Sequence, residues 1–299
     1  METQTQRVRN DVRIRFYEAL QAQLTVKAAA QLVELAQEGV RLAKALYDAQ
    51  DGARIDVLQA EIELSKVQIV QQAAENSQVA TWRRLAYSIG LPDLPFTMLT
   101  GSLEGDLPQY EFDALWTKLA DEHPQLQAAS AKINQASQQI QRERIQPIPN
   151  VDVQFGVQKD FASNYTIAQA QFGVALPIFN RNQGNIYSAF AEMQRAEAER
   201  ERLELWYRDQ LADVYRDFAT ARQRVERYQQ EILPRALENL ELTTAGYQQG
   251  EHAFLRVLVA RETYFQSRLE YLRAWTALRV AEVRLTGFTL TGGLDAAAE

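Results

Sequence analysis

The sequence predicts a mainly α-helical protein: long antiparallel coiled-coil hairpins in a two-fold internal repeat, with one long β-hairpin inserted. Three observations carry this. Residues 36–60 align with 236–260 at an offset of 200 without a gap, and nine of these 25 positions are identical, where ordinary composition gives roughly one or two. Apolar residues recur every seven positions over long stretches. One segment alone, between residues 150 and 179, alternates apolar with polar.

Composition bounds the function. With 46% hydrophobic and 24% charged residues among 299, the chain is a folded protein. A net charge of -7 leaves no broad basic surface of the kind that neutralises phosphates, which argues against nucleic acid and against anionic lipid headgroups as partners. The absence of cysteine removes disulfides, thiolate metal sites and cysteine nucleophiles, and fits either redox compartment. No stretch approaches the roughly 20 apolar residues of a membrane-spanning helix. The start, METQTQRVRNDVRI, lacks the apolar core of a signal peptide. A membrane contact therefore has to be made by strands.

The repeat dictates the helices. In the second copy Leu211, Phe218, Val225 and Ile232 recur every seven residues, with Val214, Ala221 and Tyr228 between them at spacings of three and four. That is a coiled-coil seam. The returning segment carries Leu258, Phe265 and Leu272 in one row and Val257, Tyr264, Tyr271, Leu278 and Leu285 in the next, a stripe wide enough to touch more than one neighbour. Glycine-containing interruptions from Tyr47 to Ala53 and from Gly246 to Ala253 predict a helix, a tight turn and a helix back in each copy. Pro234 matches Glu34 of an unbroken pattern, so a kink is expected there and not an end. From Asn182 to about Ala245 the descending helix would run on the order of 95 Å. Such a helix needs neighbours along its whole length, which implies a multi-helix barrel or bundle.

The chain thus divides into an incomplete first helical hairpin (1–90), a proline-bearing linker (91–112), an ascending segment (113–149) with one helix from about Asp113 to Arg144, a β-hairpin (150–179), a second long helical hairpin (180–290) and a tail (291–299). In the β-hairpin Val151, Val153, Phe155 and Val157 share one face, and Asp152, Gln154 and Gln158 the other. After a polar turn at 162–164, Ala168, Ala170, Phe172, Val174 and Leu176 share a face opposite Gln169 and Gln171. Each strand has about the 9 to 11 residues that cross a bilayer when tilted. Phe161, Tyr165 and Phe179 stand where interfacial aromatics belong. The competing reading, a soluble ribbon packed on helices, is disfavoured because an isolated hairpin is only marginally stable in water.

No nucleotide loop, dinucleotide fingerprint, HExxH or GxSxG occurs. His123 precedes Pro124 and is read as a solvated turn residue; His252 sits in a turn. Two isolated histidines without cysteine make no metal site. Catalytic residues, cofactors and metal ligands are therefore not expected, and the chain is not read as an enzyme.

The run from Val174 through Asn180-Arg-Asn-Gln-Gly184 to Ile186 resembles the strand-to-helix junction of the TolC-like outer membrane efflux family, and Arg181 to Gly184 resembles its cobalt-zinc-cadmium efflux branch. Tyr47 to Ala60 and Tyr247 to Ala260 resemble that family's periplasmic hairpin tips, and Glu122 to Ala129 the helix leading to its second β-hairpin. The resemblance covers nearly the whole chain. It implies a homotrimer whose strands share a barrel in outer membrane lipid, whose helices form a periplasmic tunnel, and whose tips dock on a periplasmic adaptor and an inner-membrane pump. It implies a passive conduit for metal ions or small toxic compounds. The docking candidates are Tyr47, Asp51, Gly52, Arg54, Asp56, Tyr247, Gly250, Glu251, His252 and Phe254. The membrane-strand residues are Val151, Val153, Phe155, Val157, Phe172, Val174 and Leu176.

Used as a ruler, the repeat places the first-copy equivalent of Pro177 about 22 residues before Met1. The chain is therefore expected to begin inside a helix, with a signal peptide, a first ascending helix and a first β-hairpin missing. Three such chains would give six strands, fewer than the ~8 of the smallest single-chain barrels, so the chain as it stands is not expected to form a working pore. The alternative reading is a soluble coiled-coil scaffold whose helical stripes bind partner helices.

Overall fold

The computed structural model describes residues 2–162, 164–175, 177–251 and 253–293. Its helices are α1 (Glu2–Asp48), α2 (Arg54–Ser88), α3 (Phe112–Glu122), α4 (Pro124–Ile145), α5 (Gln183–Arg227), α6 (Leu233–Gln248) and α7 (Phe254–Thr286), and its strands are β1 (Val151–Asp160) and β2 (Tyr165–Val174). This is the expected fold class: long helical hairpins with one two-stranded antiparallel sheet. Two compact units form, Met1–Thr117 with Asp209–Glu299, and Lys118–Arg208.

In the first unit the helices stand in the order α2, α1, α7, α6, each packed on the next. The apolar rows read from the sequence supply the contacts. Ala28, Leu32, Val33 and Ala36 of α1 meet Val67 of α2 and Phe265 of α7. Nearer the turns, Val40 and Ala43 meet Ala60, Tyr247, Phe254 and Val257. Burying the leucine, valine and phenylalanine side chains among these gives roughly 1.5–3 kcal/mol each, which helices this long need because isolated helices are marginal in water.

The seam of α5 buries Leu211, Phe218, Ala221 and Val225 as its spacing predicts, but Ile232 is exposed. The reason lies just before Pro234, where Tyr228–Ile232 form a single π-helical turn and Leu233 N–H donates to the Tyr228 carbonyl. Proline has no N–H and crowds the carbonyl four residues back; a wider turn relieves both problems. The extra residue rotates everything that follows, and burial resumes at Ala236, Leu240 and Tyr247, one position later than the heptad for Leu240 and Tyr247. The proline therefore acts as a bulge in a helix that continues.

Two expectations fail in the second unit. The single helix over 113–144 is two helices, broken at His123, because a residue before proline is pushed out of the helical region: His123 has φ -69° and ψ 123°. Nor is His123 solvated. It is fully buried, its ring lies 4.0 Å from that of Tyr207, and its Nδ1 accepts from the Gln125 N–H at 3.2 Å, capping α4.

Residues 91–111 carry no helix or strand and are held by side chains of the first unit. Gln23 exchanges two hydrogen bonds with the Leu99 backbone, at 3.1 and 2.9 Å. Arg279 Nε donates to the Leu103 carbonyl at 3.0 Å, and Leu103 is fully buried. Beyond α7 the chain is tied to α1: Asn10 Nδ2 donates to the Gly287 and Leu290 carbonyls at 3.0 and 2.7 Å, and Asp11 accepts from the Gly292 and Gly293 N–H groups. Because Asn10 is fully buried, Asn10→Ala removes both bonds and leaves the Leu290 carbonyl without that donor, while the Gly287 carbonyl keeps the Leu290 N–H at 3.2 Å; it is expected to cost about 2 kcal/mol, read as a lower unfolding midpoint in denaturant.

Candidate functional site

Three places hold the residues to which function can be assigned: the β-hairpin, the junction after it and the two helical turns. In the sheet Val151 pairs with Val174, Val153 with Phe172, Phe155 with Ala170 and Val157 with Ala168. Directly opposed residues of an antiparallel pair share a face, so the predicted apolar residues form one continuous surface. Behind it stand Asp152 with Gly173, Gln154 with Gln171, Gly156 with Gln169 and Gln158 with Ile167. No described residue of either strand is buried, and Phe155 is 79% exposed. Phe161, Tyr165 and Phe179 are exposed near the strand ends. Leu176 lies outside the described residues.

The junction is organised by Asn182, whose role the sequence did not disclose. It holds φ 62°, a conformation asparagine tolerates better than most residues. Its carbonyl accepts from the Ile186 N–H at 3.0 Å, opening α5. Its amide donates to the Glu143 carbonyl and carboxylate and to Gln146 Oε1, at 3.0, 2.7 and 3.0 Å. One side chain thus ties the end of α4 to the start of α5 across the base of the hairpin, giving the Arg-Asn-Gln-Gly run a physical reason. The available signal was an asparagine followed by a helix, which is weak.

The two turns share one backbone. Gln50 and Gly250, 200 apart, hold φ 65° and 76°. Their N–H groups donate to the Tyr47 and Tyr247 carbonyls, each at 3.0 Å, and the next residues, Asp51 and Glu251, donate to Leu46 and Gly246 at 2.9 and 2.8 Å. This pair of bonds is the Schellman helix end. Ala53 and Ala253 then hold extended conformations that start α2 and α7. In the glycine-containing interruption from Tyr47 to Ala53 the left-handed residue is Gln50, and Gly52 is a half-buried donor to the Leu46 carbonyl at 3.0 Å.

Side chains on this shared backbone differ. Asp51, Arg54 and Glu251 are exposed, and Asp56 half-buried. Tyr47 is 43% exposed, but its counterpart Tyr247 is 5% exposed and packs on the buried Phe254 ring at 5.2 Å. Tyr247 and Phe254 are therefore interior residues that fix the turns against each other. Burial, and secondarily the Asp56 charge, raises the Tyr247 phenol above its ordinary pKa. His252 lies outside the described residues. Among the described residues no three His, Cys, Asp or Glu side chains group to hold a metal ion, and no helix is long and apolar enough to cross a membrane.

The family model described as outer membrane efflux protein matches residues 115–292. The chain is 28% identical over 276 residues to the cobalt-zinc-cadmium resistance protein CzcC of Cupriavidus metallidurans, covering 89% of this chain and 64% of that protein, so it spans less than two thirds of that relative. Its fold is that of two solved channels: the outer-membrane channel OprN (TM-score 0.71, 18% identity, 97% of this chain and 68% of that one) and CusC (TM-score 0.72, 17% identity, 95% and 68%).

The shared turn gives a reciprocal test. Left-handed backbone costs a residue with a Cβ roughly 1 kcal/mol, so Gln50→Gly is expected to stabilise the protein by about 0.5–1 kcal/mol and Gly250→Gln to destabilise it by about 1 kcal/mol. Thermal unfolding followed by circular dichroism reads both; shifts of the same sign would contradict the shared turn.

Proposed function

We infer, because this chain belongs to the outer membrane efflux protein family, that it is one subunit of an outer membrane efflux duct, a passive conduit for metal ions or small toxic compounds. The observation that carries the reading is the β-hairpin, whose apolar face stands uncovered opposite a face of glutamine and aspartate. In water such a face is a liability; against lipid it is what a barrel strand requires. Both edges of the two-stranded sheet have free backbone groups, which a bilayer does not tolerate unpaired, so further strands have to lie beside it. A homotrimer in the outer membrane with its helices in the periplasm brings the hairpins of three copies together.

In this reading the polar strand face borders water, and the turns at Gln50 and Gly250 dock on a periplasmic adaptor coupled to an inner-membrane pump. Energy then comes from the pump, and the duct needs no catalytic group. The name of the cobalt-zinc-cadmium resistance relative supports metal ions as cargo. Asp51, Gly52, Arg54, Asp56, Tyr47, Gly250 and Glu251 make the docking surface, which Tyr247 and Phe254 shape from within.

Phe155→Arg puts a charge on the lipid face at a depth where it costs about 2–4 kcal/mol, and is expected to move the protein out of the carbonate-resistant membrane fraction. Gln154→Arg, one residue away on the other face, is expected to leave it there; equal behaviour of the two would sink the lipid-facing assignment. For the tips, the double charge reversal Arg54→Glu with Asp56→Arg is expected to lower adaptor crosslinking. If crosslinking stays unchanged, those residues do not dock.

A further inference from the structure

Among the described residues Arg261 of α7 is the only buried arginine, lysine, aspartate or glutamate, at 8% exposed. Its guanidinium lies on the bare α-carbon of Gly39 in α1, so closely that a Cβ there would stand 2.6 Å from Nη1. A guanidinium carries five N–H donors and does not give up its charge in a protein. No described residue gives this one a hydrogen bond or an ion pair. Burial pulls its pKa below the ordinary value, and the Glu38 and Glu63 charges, which act the other way, do not make up for it. Glu38 is turned instead toward Arg41, at 3.8 Å. A buried charge without a partner is costly, so the place calls for a counter-charge that the chain itself does not bring.

The internal repeat shows what an answered charge looks like at this position. The residue 200 places earlier, Glu61, pairs with Lys44 at 2.7 Å. The counterpart of Lys44 is Thr244, which has no charge to offer Arg261.

Beside Arg261 is a small cavity of about 30 Å³ between α1, α6 and α7. Gln31, Tyr264 and Arg268 share its wall with Arg261, and the rest of the wall is alanine, leucine and phenylalanine. Its polar groups are thus an amide, a phenol and two guanidiniums, all able to donate, and no carboxylate lines it. Arg268 is partly answered by Glu104 at 4.0 Å, which leaves Arg261 as the unmatched charge. A space of this size holds one or two groups as large as water, too little for a tetrahedral oxyanion. Water there would hydrate the guanidinium and leave its charge unmatched; a halide matches it.

We propose that this cavity binds one small monovalent anion of chloride size, held by the Arg261 guanidinium with Gln31 and Tyr264 as further donors, so that the ion fastens α7 to α1. Gly39 belongs to the site as the residue whose missing side chain gives the guanidinium its place. The site goes beyond the duct reading and does not depend on it, since it lies wholly within the helical row.

An ion that binds only the folded chain stabilises it by mass action. In detergent at equal ionic strength, the protein is expected to unfold about 4 °C higher in sodium chloride than in sodium gluconate, whose anion is too large for the cavity. Arg261→Met is expected to unfold at the same temperature in both salts, and Arg235→Met, which removes an exposed arginine of α6, to respond as the unmodified protein does. Crystals of the unmodified protein soaked in sodium bromide are expected to show an anomalous peak within hydrogen-bond distance of the Arg261 guanidinium, a measurement that stands whether or not the variants fold. Equal midpoints of the unmodified protein in the two salts, or no bromide peak at Arg261, overturn the site. So does an Arg261→Met protein that keeps the full chloride response, because the ion then sits elsewhere.

Discussion

The contact between α1 and α7 is the one on which the rest of the first unit depends. Each hairpin taken alone would leave the apolar side chains of its inner helix in water. Where the hairpins meet, Leu32, Ala36 and Phe265 close one cluster and Val40, Tyr247 and Val257 another. The same two helices then hold everything irregular. Gln23 and Asn10 on α1, with Arg279 on α7, pin the linker and the segment after α7 by backbone hydrogen bonds. Separating α1 from α7 would therefore release segments that have no secondary structure of their own.

Most of this fold was legible in the sequence because its information is periodic. Seven-residue spacing, two-residue alternation and an ungapped repeat each report a face, and faces are what pack. What stayed hidden depends on single residues. Pro234 announced a disturbance, but nothing in the heptads says that a π turn will move the seam off Ile232. His123 next to a proline reads as a surface turn, because the ring that buries it belongs to Tyr207, 84 positions away in the chain. Asn182 was visible inside a familiar run, yet its grip on Glu143 and Gln146 joins residues that only the β-hairpin brings together.

The turns separate backbone from side-chain information. Both copies keep the same hydrogen bonds and the same left-handed position, so the residues there are constrained by geometry. Their outward chemistry is free to differ, and it does: Tyr47 is exposed where Tyr247 is interior, and Arg54 is exposed where Phe254 is buried. A docking surface chosen from the turns as a set therefore mixes two roles. The strands have no such division, since alternation alone decides which side chain meets which solvent, and the sequence reading of their two faces coincides with the register.

The π turn at Tyr228–Ile232 also sets the two copies out of step. On the turn side of it, positions 200 apart correspond. On the other side the buried Phe218 and Ala221 match the buried Ala19 and Ala22 only when the offset is 199. The second copy thus carries one residue more than the first along an otherwise equivalent helix, and a single swollen turn absorbs the insertion before it can rotate the apolar face away from its neighbours. Helices of this kind can accept an insertion or deletion in mid-helix and stay packed, provided that one turn is free to widen.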